Sequence, residues 1–280
     1  MNTPQLIVIG AQKCGTTTLY EDLAQHPAIT LTEKESAVLL EHPTAQAARE
    51  AYAQHPVADG QVLVEVATEY AMRPAHEVAA RAHGVAPETL IIYIVRDPYR
   101  RTISHHHHEV AARTMGADID QAVRDHPRLV DYSRYAYQIR PWIEAFGADR
   151  VHVIRFEDYM GDRTTGAMSI HRLLGLPPTP LDDPQTKHNV ATKKRVAVGL
   201  GGRIARNPVY RRLIRPYLGD PVKNAVKTLL LPKAPPRPGA PSHATTLHLV
   251  ERLTPEIHEL AELLGTDPWW DLSVHTQQNG

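Results

Sequence analysis

Short apolar runs alternate with one-sided helical patterns along the first 175 residues, and this alternation constrains the fold most strongly. The strand-like runs are Leu6–Ile9, Ile29–Leu31, Val62–Val66, Leu90–Val95 and Val151–Arg155. Helical patterns separate them, over Thr16–Gln25, Pro43–Gln54, Pro74–His83, Pro98–Ala112, Tyr135–Phe146 and Thr164–Leu174. Because continuously apolar strands are buried on both faces, the pattern predicts an α/β fold with a central parallel sheet. Ligands of such sheets bind at the carboxyl ends of the strands, which directs attention to the loops there.

Composition excludes several classes of protein. The 280 residues carry 31 Lys and Arg against 31 Asp and Glu, so a general nucleic-acid coat is not expected. The single cysteine, Cys14, excludes a disulfide framework and a cysteine-based zinc site. We see neither a signal-peptide pattern nor an apolar run near the roughly 20 residues of a membrane span. The sequence therefore predicts a soluble, cytoplasmic protein.

The last third of the chain differs from the rest in its amino-acid composition. Between Lys187 and Arg237 there are 13 Lys and Arg but one acidic residue, Asp220. We predict an α/β core over 1–185 and a helical C-terminal region over 186–280, in the same domain, with a Pro-rich linker and a final helix over Thr246–Leu264. The basic amphipathic stretch 203–231 could rest on anionic lipid, grip an anionic acceptor or pack on the core; packing is the default.

The loop after the first strand has the composition of an anion site. It contains Gln12, Lys13, Cys14, Gly15, Thr16, Thr17 and Thr18. A helix that starts after such a loop offers free N–H groups to a phosphate, and a lysine and hydroxyls add to them. An ordinary turn with a capping threonine is the alternative. In nucleotide-triphosphate loops, however, the lysine directly follows the last glycine. Here Lys13 precedes Gly15, so a Mg²⁺–γ-phosphate arrangement is not predicted.

A second cationic element follows the fourth strand. Leu90–Val95 runs into Arg96-Asp97-Pro98, and Ser104 lies eight residues beyond Arg96. Pro98 suits the first turn of a helix, and two helical turns bring Ser104 to the same face as the helix start. Arginine and serine at a sheet edge can bind a phosphate together. An arginine–aspartate pair at a helix cap is the alternative.

Together these two elements resemble the sulfotransferases that use 3′-phosphoadenosine 5′-phosphosulfate (PAPS), above all the carbohydrate branch with the heparan sulfate enzymes, and their bacterial relatives. The resemblance covers roughly 6–174 and implies a fold like that of nucleotide kinases. It implies that Lys13 to Thr17 bind the 5′-phosphosulfate end. It also implies that Arg96 and Ser104 bind the 3′-phosphate; Arg101 falls one place late in that element. No metal is expected.

The resemblance also implies a general base. In the heparan sulfate enzymes a glutamate lies 22 residues past the loop lysine, and here that position is Glu35. Without the resemblance, Glu35 in a Glu-Lys-Glu run would be interpreted as a solvated charge, and Glu33 is its nearest rival. Two departures stand out. The aromatic residues that usually follow the glutamate are absent, and Val66 occupies the position of a lysine that assists catalysis. Glu65 and Glu69 are weaker candidates for acceptor contacts or structural roles.

Histidines and a late basic loop complete the candidates. The block His105–His108 cannot converge on one ion, because consecutive helical side chains diverge by about 100°. His108 lies four residues after Ser104, and some N-sulfotransferases have a functional histidine there. We therefore retain His108 as a catalytic or acceptor-contacting candidate. Lys193, Lys194 and Arg195 resemble the family's loop that covers PAPS, with a solvated charge run as an equal alternative.

The sequence thus predicts a PAPS-dependent sulfotransferase with 3′-phosphoadenosine 5′-phosphate as product. The acceptor would be a hydroxyl, with an amine less favoured, of a glycan, lipid or small molecule. Lys13 would stabilise the leaving phosphate and Glu35 would take the acceptor proton. Two alternatives remain: a phosphoryl-transfer kinase, and a non-enzymatic protein that binds anionic membranes through 203–231.

Overall fold

A five-stranded parallel sheet forms the centre of the computed structural model, which describes residues 2–72, 76–184 and 236–277. The strands are β1 (Leu6–Gly10), β2 (Ile29–Leu31), β3 (Val62–Val66), β4 (Leu90–Val95) and β5 (Val151–Arg155). Their order across the sheet is β2-β3-β1-β4-β5, and every pair is parallel. The predicted α/β fold with a central parallel sheet is confirmed.

The helices of the described residues occupy the connections and the C-terminal region. They are α1 (Thr16–Leu23), α2 (Val38–Glu41), α3 (Ala45–Ala53), α4 (His76–Val85), α5 (Pro98–Ala111), α6 (Ile119–Asp125), α7 (Arg128–Asp131), α8 (Tyr135–Phe146), α9 (Phe156–Gly161), α10 (Arg163–Leu173), α11 (His243–Leu264) and α12 (Ser273–Gln277). Two 3₁₀ turns, Thr68–Ala71 and Ala148–Arg150, follow β3 and precede β5.

Several helix ends differ from the predicted ones because side-chain caps set them. Helix α3 begins at Ala45, after Pro43, because the Thr44 hydroxyl accepts from the Ala47 N–H at 3.1 Å. Helix α11 begins three residues before the predicted Thr246, because Ser242 accepts from the Thr245 N–H. Helix α1 ends at Leu23, before the predicted Gln25, and α4 extends to Val85, past the predicted His83.

Burial explains the position of the sheet. Leu6, Ile7, Val8 and Ile9 of β1 are at most 1% exposed, so both faces of the central strand are covered. Burial of each such side chain contributes about 1.5–3 kcal/mol. A second apolar cluster joins α11 to α5 and α7 through Leu249, Leu253 and Leu129, among others. The carboxyl ends of β1, β3 and β4 lie side by side at one edge of the sheet. At this edge the strand order changes direction, because β3 lies on one side of β1 and β4 on the other.

Candidate active site

The loop between β1 and α1 has the backbone of an anion cradle. Lys13 and Gly15 adopt positive φ angles of 71° and 85°. Gly15 is the N-cap of α1 and supplies no capping side chain, so the first N–H groups of the helix remain available to a ligand. A Cβ added at Gly15 would lie 2.8 Å from the Phe156 ring. Only glycine therefore satisfies both the backbone angle and the close approach.

The loop side chains divide into buried and accessible ones. Thr16 and Thr18 are buried, whereas Lys13 and Thr17 are half-buried. The Gln12 Oε1 atom is buried and has no hydrogen-bond partner among the described residues. Cys14 is fully buried, and burial raises the pKa of its thiol to about 11. Cys14 thus contributes packing and backbone to the loop rather than an ionised thiol.

Tyr135 connects this loop to the second predicted element. Its hydroxyl donates to the Arg96 carbonyl oxygen at 2.8 Å and lies 3.8 Å from the Cys14 sulfur. The half-buried Arg96 follows β4, and its guanidinium carbon lies 5.1 Å from the centroid of the Phe156 ring. Arg96 and the β1 loop therefore share two aromatic neighbours, Tyr135 and Phe156. No motif signalled either aromatic residue, because the contacts come from distant parts of the chain.

Helix α5 carries two motif residues, Ser104 and Arg101, that differ in their exposure to a ligand. Ser104 is half-buried on α5, two turns beyond the Asp97 carboxylate that accepts from the Arg100 N–H at 3.0 Å. Arg101, by contrast, is fully buried and donates to Ser133 Oγ and the Leu129 carbonyl, both at 2.6 Å. Arg101 therefore fixes α5 against the 129–133 segment and is not presented to a ligand.

Glu35 lies on a strained turn beside the ends of β2 and β3. Its φ of 59° is left-handed, and its N–H donates to the Val66 carbonyl at 3.1 Å. The exposed side chain turns toward the residues after β3, where Oε2 accepts from the Thr68 N–H at 2.9 Å and the Thr68 hydroxyl at 3.0 Å. Two donors hold the carboxylate in one orientation at the sheet edge. Strain of this kind, about 1–3 kcal/mol, often marks functional sites.

Lys34 turns the other way. Its half-buried side chain reaches α1, where Nζ donates to Thr17 Oγ1. Lys13 and Lys34 are the two lysines within the described ranges, and both belong to this edge. Sequence reasoning missed Lys34, because its Glu-Lys-Glu setting is typical of a solvated surface.

Glu65 holds the turn that carries Glu35. It is fully buried, and its carboxylate accepts from Ser36 Oγ at 3.0 Å, from the Val38 N–H at 3.1 Å and from the Tyr52 hydroxyl. Burial raises the pKa of the Glu65 carboxyl. These contacts assign Glu65 to the structural role of the two expected for it. The neighbouring Val66 is fully buried and apolar.

The histidines of the block 105–108 differ in how deeply they are buried. His105 and His106 are buried, and His106 Nε2 lies 2.9 Å from the Gly116 carbonyl oxygen. Burial, followed by repulsion from Arg101, lowers the pKa of His105 to about 2, and Lys13 and His108 are among the smaller contributors. His108 is half-buried on the face of α5 that carries Ser104. His108 therefore stays a candidate on the accessible face of α5.

Two expectations concern residues that the structure does not describe. Lys193, Lys194, Arg195 and the basic stretch 203–231 all lie in the gap between 184 and 236. Among the described residues, no three His, Cys, Asp or Glu side chains cluster as a metal would require. None of the described helices combines the length and apolarity of a membrane span.

Comparison with known proteins identifies the family. The model of the sulfotransferase domain matches residues 3–195, which is more than half of the chain. The chain belongs to the sulfotransferase family. The resemblance noted in the sequence is thereby confirmed, and the matched range contains the β1 loop, Glu35, Arg96 and Ser104.

Individual relatives are distant. Mouse heparan sulfate glucosamine 3-O-sulfotransferase 6 is 25% identical over 182 residues, which are 62% of this chain and 52% of that protein. The chain thus spans about half the length of this curated relative. A sulfotransferase from Alicyclobacillus acidocaldarius has a similar fold, with a TM-score of 0.65 at 18% identity, over 95% of this chain and 98% of that one.

Proposed function

We propose that this protein is a PAPS-dependent sulfotransferase that transfers a sulfuryl group to a hydroxyl of a carbohydrate, lipid or small-molecule acceptor. One observation carries the proposal. The anion cradle at Lys13 and Gly15 faces the sheet edge that also holds Arg96 on one side and the oriented Glu35 carboxylate on the other. A nucleotide site and a base at one edge are what sulfuryl transfer requires.

The residues of this edge fit the donor. The open N-terminus of α1 and the closely packed Gly15 leave room for backbone N–H groups to hold the 5′-phosphate. Arg96 and Ser104 would hold the 3′-phosphate, and Arg96 lies on the face of Phe156. When bound, PAPS supplies a sulfuryl group attached to a phosphate that can leave.

The residues around the loop would perform the rest of the chemistry. Glu35 takes the proton of the acceptor hydroxyl at its carboxylate as the new bond forms. Lys13 neutralises the charge that develops on the leaving phosphate oxygen. Thr68 keeps the carboxylate aimed, and the buried Glu65 keeps the 35–38 turn in place. Positioning and electrostatics dominate such a loose transfer, by analogy with phosphoryl transfer.

Nucleotide binding is the first test. The product, 3′-phosphoadenosine 5′-phosphate, should raise the melting temperature of the protein, and Arg96→Ala should abolish the rise. Arg100→Ala is the matched control, because Arg100 is exposed and lies four residues further on, in the first turn of α5. A rise with ADP and Mg²⁺ but not with the bisphosphate would instead support the kinase alternative.

Transfer is the second test. An acceptor screen with sulfur-labelled PAPS should find a hydroxyl acceptor for the wild-type protein. Glu35→Ala should keep the melting-temperature rise and lose transfer by a factor of about 10²–10⁴. Normal turnover by Glu35→Ala would refute the assignment of the base. Liposome binding without turnover, insensitive to Lys13→Ala, would support the membrane-binding alternative.

A further inference from the structure

We infer that Lys34 is a second catalytic cation, which contacts the oxygens of the sulfuryl group while that group is transferred. The inference rests on the proposed function and extends it to a residue to which the sequence analysis gave no role. Lys34 precedes the proposed base directly, and its ammonium group contacts the α1 end of the phosphate loop through Thr17.

The turn at 34–36 directs adjacent side chains to two different elements at the sheet edge. The left-handed φ of Glu35 lets its carboxylate reach Thr68 after β3. Lys34 instead reaches Thr17 in the first turn of α1. A group transferred from the loop toward the Glu35 carboxylate therefore starts beside α1, where the Lys34 cation lies.

The hydrogen bond to Thr17 also sets the direction of a donor. Lys34 Nζ donates to the Thr17 oxygen, so that oxygen uses a lone pair and the Thr17 hydrogen is left to point at an anion. An ammonium group and a hydroxyl hydrogen then face the same bound phosphosulfate. Both interactions are charge-assisted, which makes them about twice as strong as neutral hydrogen bonds.

The neighbouring strand explains why a cation is needed at this position. At the end of β3, Val66 and Ala67 are apolar and fully buried, and Thr68 is neutral. Lys34 is thus the lysine that brings positive charge to the β3 side of the loop within the described ranges. Its charge is held at the edge by the Thr17 contact and by the anchored turn that follows it.

The proposed step balances with Lys34 in this role. The acceptor oxygen forms a bond to sulfur while the bond between sulfur and the phosphate oxygen breaks. The acceptor proton goes to Glu35, and the electron pair of the broken bond stays on the phosphate oxygen. Lys34 neutralises charge on the sulfuryl oxygens during the transfer, while Lys13 neutralises the charge that develops on the leaving oxygen.

Donor binding tests the inference without knowledge of the acceptor. Calorimetry should compare the affinity for PAPS with the affinity for 3′-phosphoadenosine 5′-phosphate, which lacks the sulfuryl group. Lys34→Met should weaken PAPS binding about tenfold and bisphosphate binding less than threefold. Lys34→Arg should recover part of the loss. Arg124→Met, which removes an exposed charge on α6, controls for long-range effects and should change neither affinity.

The outcomes separate the inference from the proposed function. Equal weakening of both ligands, or no change in either, would overturn the role of Lys34 while leaving the proposed function in place. A wild-type protein that binds neither nucleotide would overturn both. With an acceptor in hand, Lys34→Met should lower kcat about 10- to 100-fold. The double variant with Thr17→Val should lose less than the product of the two single losses. A normal kcat for Lys34→Met would refute the inference.

Discussion

The Cα of Gly15 lies so close to the ring of Phe156 that a Cβ there would approach the ring to 2.8 Å. The contact joins the phosphate loop after β1 to the residue that follows β5. The same ring also lies beside the Arg96 guanidinium, whose carbon is 5.1 Å from the ring centroid. One aromatic side chain therefore sets the spacing between the two ends of the proposed nucleotide site.

Gly15→Ala should destabilise the protein and remove the melting-temperature rise with the bisphosphate. The left-handed φ of 85° costs a side chain about 1–2 kcal/mol, and the clash with Phe156 adds about 1–3 kcal/mol. Urea unfolding gives the change in stability, and thermal unfolding with ligand gives the effect on binding. Gly175→Ala is the matched control, because Gly175 has a φ of 69° and no heavy atom within 4 Å of an added Cβ. It should lose about 1 kcal/mol and keep the ligand effect. Equal losses in both variants would contradict the proposed role of the Phe156 contact.

Arg163→Met should cost about 3–5 kcal/mol, because it leaves the fully buried Asp22 carboxylate without its cation. Arg163 Nε donates to Asp22 Oδ2 at 3.0 Å, and Tyr159 donates to the same oxygen at 2.6 Å. The control is Arg140→Met in the exposed pair with Glu259, where a loss below about 1 kcal/mol is expected. Denaturant unfolding of both variants gives the comparison. Similar losses would show that the buried pair does not organise the α1–α10 contact.

The stability of the protein should fall as the pH drops below 6.5, in part because of His105. The folded-state pKa of His105 is lowered to about 2, so the unfolded chain binds a proton below pH 6.5 that the folded protein does not. One such histidine loses up to about 2 kcal/mol between pH 6.5 and pH 5. His105→Gln should therefore make the free energy of unfolding less dependent on pH over this interval. His258→Gln, which removes an exposed imidazole, is the control. An unchanged pH profile in His105→Gln would contradict a buried, neutral His105.

The Cys14 thiol should be almost unreactive toward a disulfide reagent at pH 8 in the folded protein. Its pKa of about 11 leaves on the order of 10⁻³ of the thiol ionised, and the side chain is fully buried. Unfolding in urea should raise the rate of modification more than 100-fold. Because the chain has one cysteine, the signal reports this residue alone. Cys14→Ser should keep the bisphosphate effect, since the loop uses the backbone at this position. Rapid labelling of the folded protein would show that the loop opens.

The five strands could be predicted from the sequence because strands buried on both faces are nearly continuous apolar runs. Their order could not, because nothing local specifies that β1 lies between β3 and β4. Helix α6 was missed although a signal existed, for Asp118 accepts from the Asp120 and Gln121 N–H groups as an N-cap. Helix α2 carries no such signal, since its N-cap is Ala37 in a left-handed conformation.

The candidate site likewise contains residues that the sequence revealed and residues that it did not. Motif spacing brought Lys13, Glu35, Arg96 and Ser104 to notice, since a loop and a strand end carry them. Tyr135, Phe156 and Lys34 depend on tertiary contacts between segments that are far apart in the chain, so local patterns could not reveal them. Arg101, which falls one place late in its motif, is completely buried by the fold.

The position of β1 between β3 and β4 has a consequence for how such a protein diversifies. Arg96, Ser104 and Phe156 follow β4 and β5, whereas Lys34, Glu35 and Thr68 belong to the β2–β3 half, and the β1 loop serves both. In the proposed reaction, recognition of the nucleotide part of the donor and the acceptor chemistry thus occupy separate halves of one sheet. Substitutions in the β2–β3 half should therefore change which acceptor is used while the nucleotide half keeps its contacts.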